Sequence, residues 1–123
     1  MRRDFPMFFR RNGTPYPGNL HDQALAWDKD LGDVEMRRVQ RDVLENGVMV
    51  STVWLGLDHS YTPGGRPKIF ESMVFYKSYD ELDMYRYTTE EEARLGHKML
   101  VKKWSAYKTA DEILGEKKNL END

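Results

Sequence analysis

The stretch STVWLGLDHS, Ser51 to Ser60, is followed after a short loop by IFESMVF, Ile69 to Phe75. Both runs are rich in β-branched and bulky residues, which favour strands. The loop between them, HSYTPGGRP, carries Pro63, Gly64, Gly65 and Pro67, all breakers of regular structure. Two neighbouring antiparallel strands are therefore expected. Pairing Leu57 with Glu71, Leu55 with Met73 and Val53 with Phe75 gathers the large aliphatic side chains on one face and puts Glu71 among them. A buried carboxylate must be paired, protonated or solvated, because an unpartnered charge is costly to bury. His59 falls diagonally beside Glu71 in that pairing, and Asp58 projects from the other face.

Upstream, Val34 to Asp58 is broken at Asn46-Gly47, the dipeptide best suited to a two-residue hairpin turn. The strand before it is charged (Glu35, Arg37, Arg38, Arg41, Asp42), which suits a sheet edge that must not pair with other chains. Between Asn19 as N-cap and Gly32 as stop, Leu20, Ala24, Trp27 and Leu31 mark one face of a short helix.

Downstream, the third strand is expected over Lys68 to Lys77 and a fourth over Asp83 to Tyr87, joined by the polar SYDEL. Thr89 and Glu92 then form a capping box, and Ala93, His97, Leu100, Trp104 and Tyr107 recur at helical spacing. That helix must cover the sheet, with His97 descending toward Glu71 and Arg86 reaching it from the fourth strand. A short helix, ADEILGE, and a mobile polar tail, KKNLEND, should end the chain. The fold expected is α+β: a meander of about four antiparallel strands, a long C-terminal helix on one face and a short N-terminal helix. It divides into a basic arm over 1–18, one domain over 19–108 and a short helix with tail over 109–123.

Composition agrees with a single aromatic-rich domain. The chain has 123 residues, of which 39% are hydrophobic and 12% aromatic, far too many for disorder. There is no cysteine, which excludes disulfides, thiolate metal sites and thiol catalysis and fits a reducing compartment. No apolar run approaches a membrane span, and the N-terminal apolar centre is too short for a secretory signal, so a soluble cytoplasmic protein is expected. The net charge of −2 creates no general attraction for nucleic acid. Arg2, Arg3, Arg10 and Arg11, interleaved with Phe5, Phe8 and Phe9, nevertheless offer phosphate and base contacts of the kind single strands use. A basic arm pinned by its phenylalanines is the plainer reading.

No nucleophile elbow, phosphate-cradling glycine loop, HExxH or CxxC signature is present. Acid-base chemistry would have to rest on His59, Glu71 and His97, and a divalent metal on the two histidines with Glu71 and Asp58. No cofactor is expected. Glu71 has two readings, a strand-locking ion pair with a histidine or Arg86, or one wall of a cleft that receives a polar ligand.

The blocks VSTVWLGLDHS, IFESMVF and RYTTEEEARLGHKML, in that order, resemble a group of short, mostly uncharacterised proteins encoded by bacteriophages and prophages. The resemblance covers roughly Gly13 to Trp104. Here Ser72 stands where that group usually has Thr, and SYTPGGRP replaces an Asn-Phe-Gly-type loop. The resemblance implies a phage origin and marks Asp58, His59, Glu71, Arg86, Tyr87 and His97 as recurring polar positions. A phage accessory protein in the host cytoplasm, binding a host protein or a small polar ligand, is the function expected, with a small hydrolase at the His59, Glu71 and His97 cleft and nucleic-acid binding as alternatives. Association with copies of itself is compatible with this reading.

Overall fold

A computed structural model describes residues 7–58, 65–77 and 80–122. Helix α1 (Leu20–Leu31) begins where the Asn19 side chain accepts the backbone N–H of Asp22. A single helical turn, α2 (Val34–Arg37), is capped by Asp33, so the first strand starts only at Arg38. Four strands follow, β1 (Arg38–Val43), β2 (Val48–Trp54), β3 (Phe70–Tyr76) and β4 (Asp80–Tyr87), in spatial order β1-β2-β3-β4 and antiparallel throughout. This is the expected α+β meander.

Helices α3 (Glu90–Ser105) and α4 (Ala110–Glu121) complete the chain. Thr89 and Thr109 cap them identically: each hydroxyl accepts the N–H of the glutamate three residues on, Glu92 and Glu112. Helix α4 runs on through residues expected to form a polar tail. It does so because Ile113 is fully buried and Leu120 packs on the same cluster.

The hairpin between β1 and β2 differs from the two-residue turn expected. Leu44 N–H donates to the Val48 carbonyl and Gly47 N–H to the Leu44 carbonyl, which leaves Glu45, Asn46 and Gly47 in the loop. Only Gly47 takes a positive φ, +90°. A three-residue loop with glycine at its left-handed position is the next commonest hairpin closure. Asn46 is released from the turn's backbone demands, and its amide works elsewhere: Nδ2 donates to the carbonyls of Trp104 and Tyr107 and Oδ1 accepts from Val48 N–H.

The β2–β3 register also differs from expectation. Val53, not Leu57, lies opposite Glu71, with Ser51 opposite Met73 and Met49 opposite Phe75. The cause lies at Gly56, where φ turns to +74° and β2 has ended. A Cβ there would stand 2.6 Å from both Trp27 and Trp54. Leu57 bridges Phe8 of the N-terminal segment instead, and Phe9 N–H donates to the Gly56 carbonyl. Residues of the basic arm thus use the edge that β3 was expected to take.

Alternation then assigns the two faces. Val48, Val50, Thr52 and Trp54 of β2, with Phe70, Ser72, Val74 and Tyr76 of β3, are buried beneath the helices. The upper half of this core adds Leu82, Leu100, Trp104 and Ile113, and the lower half adds Phe9, Tyr16, Val39, Ile69 and Ala93. The opposite face carries three cross-strand rows: Val43, Met49 and Phe75; Arg41, Ser51, Met73 and Met84; Arg38, Val53, Glu71 and Arg86. None of those residues belongs to either core cluster, and no described helix lies over them.

Candidate functional site

Glu71 sits on the face without helices, directly opposite Arg86, whose Nε donates to its Oε2 at 3.0 Å. Both side chains keep partial solvent access. Glu71 was expected to meet His97, but the two lie on opposite faces of the sheet, because α3 packs on the face of Thr52, Trp54, Phe70 and Ser72 and Glu71 alternates with those positions. Its partner is the arginine of the neighbouring strand.

His97 is fully buried under α3 and organises a different group. Its Nε2 is 2.7 Å from Asp42 Oδ2 and its Nδ1 is 2.7 Å from Thr52 Oγ1. Thr52 is hydrogen-bonded to Ser72, which lies beside the Tyr87 phenol. Gln40 also donates to Asp42 Oδ2. A carboxylate oxygen can only accept, so Nε2 carries a proton; in the neutral ring Nδ1 then accepts from Thr52, whose oxygen accepts from Ser72. A continuous line of hydrogen bonds crosses the covered face from β1 to β3 through Asp42, His97, Thr52 and Ser72. Tyr87 of β4 stands beyond its outer end. Burial raises the Tyr87 phenol above its ordinary 10.0, opposed by the neighbouring Ser72 hydroxyl and reinforced by Tyr85 and Asp83, so the hydroxyl keeps its proton at neutral pH.

Tyr87 lies directly on Gly96; a side chain at that position would overlap the ring. Beside this contact is a hollow of about 310 Å³ between β4 and α3, lined by Tyr85, Tyr87, Gly96, Met99, Leu100 and Lys103. Two phenol rings, a methionine and a leucine make its walls. Lys103 stands at its rim, Nζ 3.1 Å from Glu116 and 3.6 Å from Asp83. Burial alone would lower the Lys103 pKa, but the bond to Glu116 and the charge of Asp83 override it and raise it, so the amine stays charged. Met99 at 64% and Tyr85 at 44% exposure leave the hollow open to ligands.

Tyr87 and His97 therefore share one constellation, whereas Glu71 and Arg86 form another on the far face. Asp58 accepts the Lys68 backbone N–H at 3.0 Å and so ties the two ends of the 59–67 loop. His59 lies outside the described residues, as do Arg2 and Arg3. Arg11 is a clamp: it binds both Glu90 oxygens and the carbonyls of Met36 and Arg38. Arg10 lies over the Tyr16 ring. Among the described residues no cluster of three or more His, Asp or Glu side chains is placed to hold a metal ion, and no helix is long and apolar enough to cross a membrane.

In the sequence Asp42 reads only as an edge-strand charge and Ser72 only as a departure from the phage group, and neither they nor Thr52 stand out as site residues. A signal for them exists: Thr52 and Ser72 are the small hydroxyl residues in two runs whose other inward positions are Val, Trp, Phe and Tyr. Hydroxyls at such positions need partners, and His97 is the inward-facing polar residue of α3. Compared with family models, with curated proteins and with solved structures, the chain matches none.

Proposed function

We propose that this chain is a phage-encoded accessory protein of the host cytoplasm that acts by binding a small polar ligand with a flat apolar body, seated between Tyr85 and Tyr87. The observation that carries the reading is the placement of Tyr87, whose ring lies directly on Gly96 and beside the buried Ser72. A wall already fixed in place loses little freedom when a ligand arrives. The hollow has the size of the smaller ligand sites and the expected mixture, mostly apolar walls with a few polar groups.

The order Asp42, His97, Thr52 repeats the carboxylate, imidazole and hydroxyl sequence of acyl-transfer enzymes. Thr52 is nevertheless wholly inaccessible, so no substrate carbonyl can reach its oxygen, which favours binding over hydrolysis. The phage origin rests on the resemblance of the three sequence blocks.

The test is an NMR titration of the whole chain with aromatic carboxylate and aromatic ammonium probes. Shifts confined to Tyr85, Tyr87, Gly96, Met99 and Lys103, and lost in Tyr85→Ala, support the reading. Absence of shifts with both probe classes, or shifts only at residues of the helix-free sheet face, overturns it.

A further inference from the structure

The helix-free sheet face raises a separate question from the hollow, which lies on the other side of the molecule. Its centre is apolar and rich in methionine, with Met49, Val53, Met73 and Phe75 half-buried by one another and Val43 and Met84 exposed at 69% and 44%. Contiguous apolar surface of this kind on a small chain marks an interaction site, and methionine adapts well to a facing surface. We propose that this face is the contact between two copies of the chain, packed sheet against sheet about a two-fold axis that runs across the strands.

Charge placement selects both the occupant and the axis. The row nearest the hairpin ends in Glu81, which lies opposite Phe75, and the row at the far end of the sheet ends in Arg86. A two-fold axis across the strands lays each strand over its own counterpart, reversed end to end. Glu81 of each copy then meets Arg86 of the other, and Met73 and Met84 meet themselves on the axis. Arg86 already gives Nε to Glu71, but a guanidinium has further N–H donors for a second carboxylate. An axis along the strands would instead set Arg38 against Arg86, a like-charge contact. The axis across the strands has its own like-charge contact, Arg41 against its counterpart at the β1 margin, but that is one contact on the axis, whereas the axis along the strands creates the Arg38 to Arg86 contact twice by symmetry. Aligned packing of two twisted sheets accommodates this arrangement.

The area fits a dimer of moderate strength. Four strands at about 4.8 Å spacing and seven residues at about 3.4 Å give roughly 450 Å² in plan on each copy, before side-chain relief is counted. Both copies together approach the lower end of specific interfaces, about 1,200 Å². A dissociation constant in the micromolar range is expected.

Sedimentation velocity of the full chain, from roughly micromolar to roughly millimolar concentration, reads this directly. The parent should pass from monomer to dimer. Met73→Glu, which places two carboxylates on the axis, should weaken the dimer by more than tenfold, and Glu81→Arg should weaken it by about tenfold. Leu95→Glu, on the exposed side of α3, should leave it unchanged. Hydrogen exchange of the parent at low and high concentration gives a check that needs no variant: backbone amides of the sheet should gain protection on association, because opening the sheet then also requires dissociation. A parent that stays monomeric throughout, or a dimer broken by Leu95→Glu and untouched by Met73→Glu, overturns the proposal. A dimer that resists Glu81→Arg refutes the axis chosen here.

Discussion

The Asn46 amide nitrogen stands 2.8 Å from the carbonyl oxygen of Trp104, 58 residues further along the chain. One side chain thereby satisfies the open end of α3 and fixes the hairpin to it, since the same nitrogen also reaches Tyr107 and Oδ1 accepts from Val48. Asn46→Ala should lose about 2 kcal/mol, because the Tyr107 carbonyl and the Val48 N–H lose their side-chain partner and Trp104 is left with backbone donors alone. Gly47→Ala should lose about 1 kcal/mol from its positive φ alone. Urea melts of both variants check the order, and a costlier Gly47→Ala would show that the turn matters more than the tether.

Thr52→Val keeps the shape of a buried side chain while deleting its hydroxyl. His97 Nδ1 and Ser72 are then stranded in the core, so a loss of about 1–3 kcal/mol is expected. Glu71→Gln should cost under about 1 kcal/mol, since its pair with Arg86 keeps partial access to water. Thermal melts side by side read the contrast. Equal losses at both positions would contradict the assignment of Glu71 to the open face.

Arg11 holds the Glu90 carboxyl below its ordinary 4.5 through two hydrogen bonds, with burial acting against it and Arg94 adding to it. A carboxylate whose folded value is depressed stabilises the fold above pH 4.5, and that contribution disappears as pH falls through the lower folded value. Arg11→Gln should therefore cost about 1–3 kcal/mol near neutrality. Its acid unfolding limb below pH 4.5 should also be shallower than the parent's. Melts across that range measure both, and parallel limbs would remove Glu90 from the acid transition.

Gly96→Ala tests the hollow. Alanine in place of glycine inside a helix ordinarily gains about 1 kcal/mol. Here the new methyl overlaps the Tyr87 ring, and overpacking of this kind costs about 1–3 kcal/mol. A net loss of stability is expected, accompanied by loss of probe binding in the NMR titration. A stabilised variant that still binds would show that Tyr87 is not held by Gly96.

Helix caps and strand order were legible because they depend on neighbours in sequence. Asn19, Thr89 and Gly32 each act within a few residues, and α1 spans the expected residues. The β2–β3 register was not legible, because it depends on where the N-terminal segment lands: Phe8 takes Leu57 out of the sheet, a contact between residues far apart in sequence. That shift, from Leu57 to Val53, is an even number of residues and leaves Glu71 on the same face as Val53, Met73 and Phe75; Glu71 misses His97 because α3 covers the other face. Of the candidate site, Tyr87 was marked only by the resemblance and His97 by its helical spacing, whereas Asp42, Thr52 and Ser72 meet only when β1, β2, β3 and α3 are assembled.

That assembly has a kinetic consequence. Every strand pairs with its neighbour in sequence, so the sheet can grow by short loop closures, whereas His97 joins Thr52 across 45 residues and Asp42 across 55. Distant contacts are entropically slower to close. Docking of α3 is then the late event, and it is the step that removes water from the imidazole. Stopped-flow refolding should place Gly47→Ala on the folding arm and Thr52→Val mainly on the unfolding arm. A Thr52→Val effect confined to the folding arm would mean that the helix docks first and the strands zip beneath it.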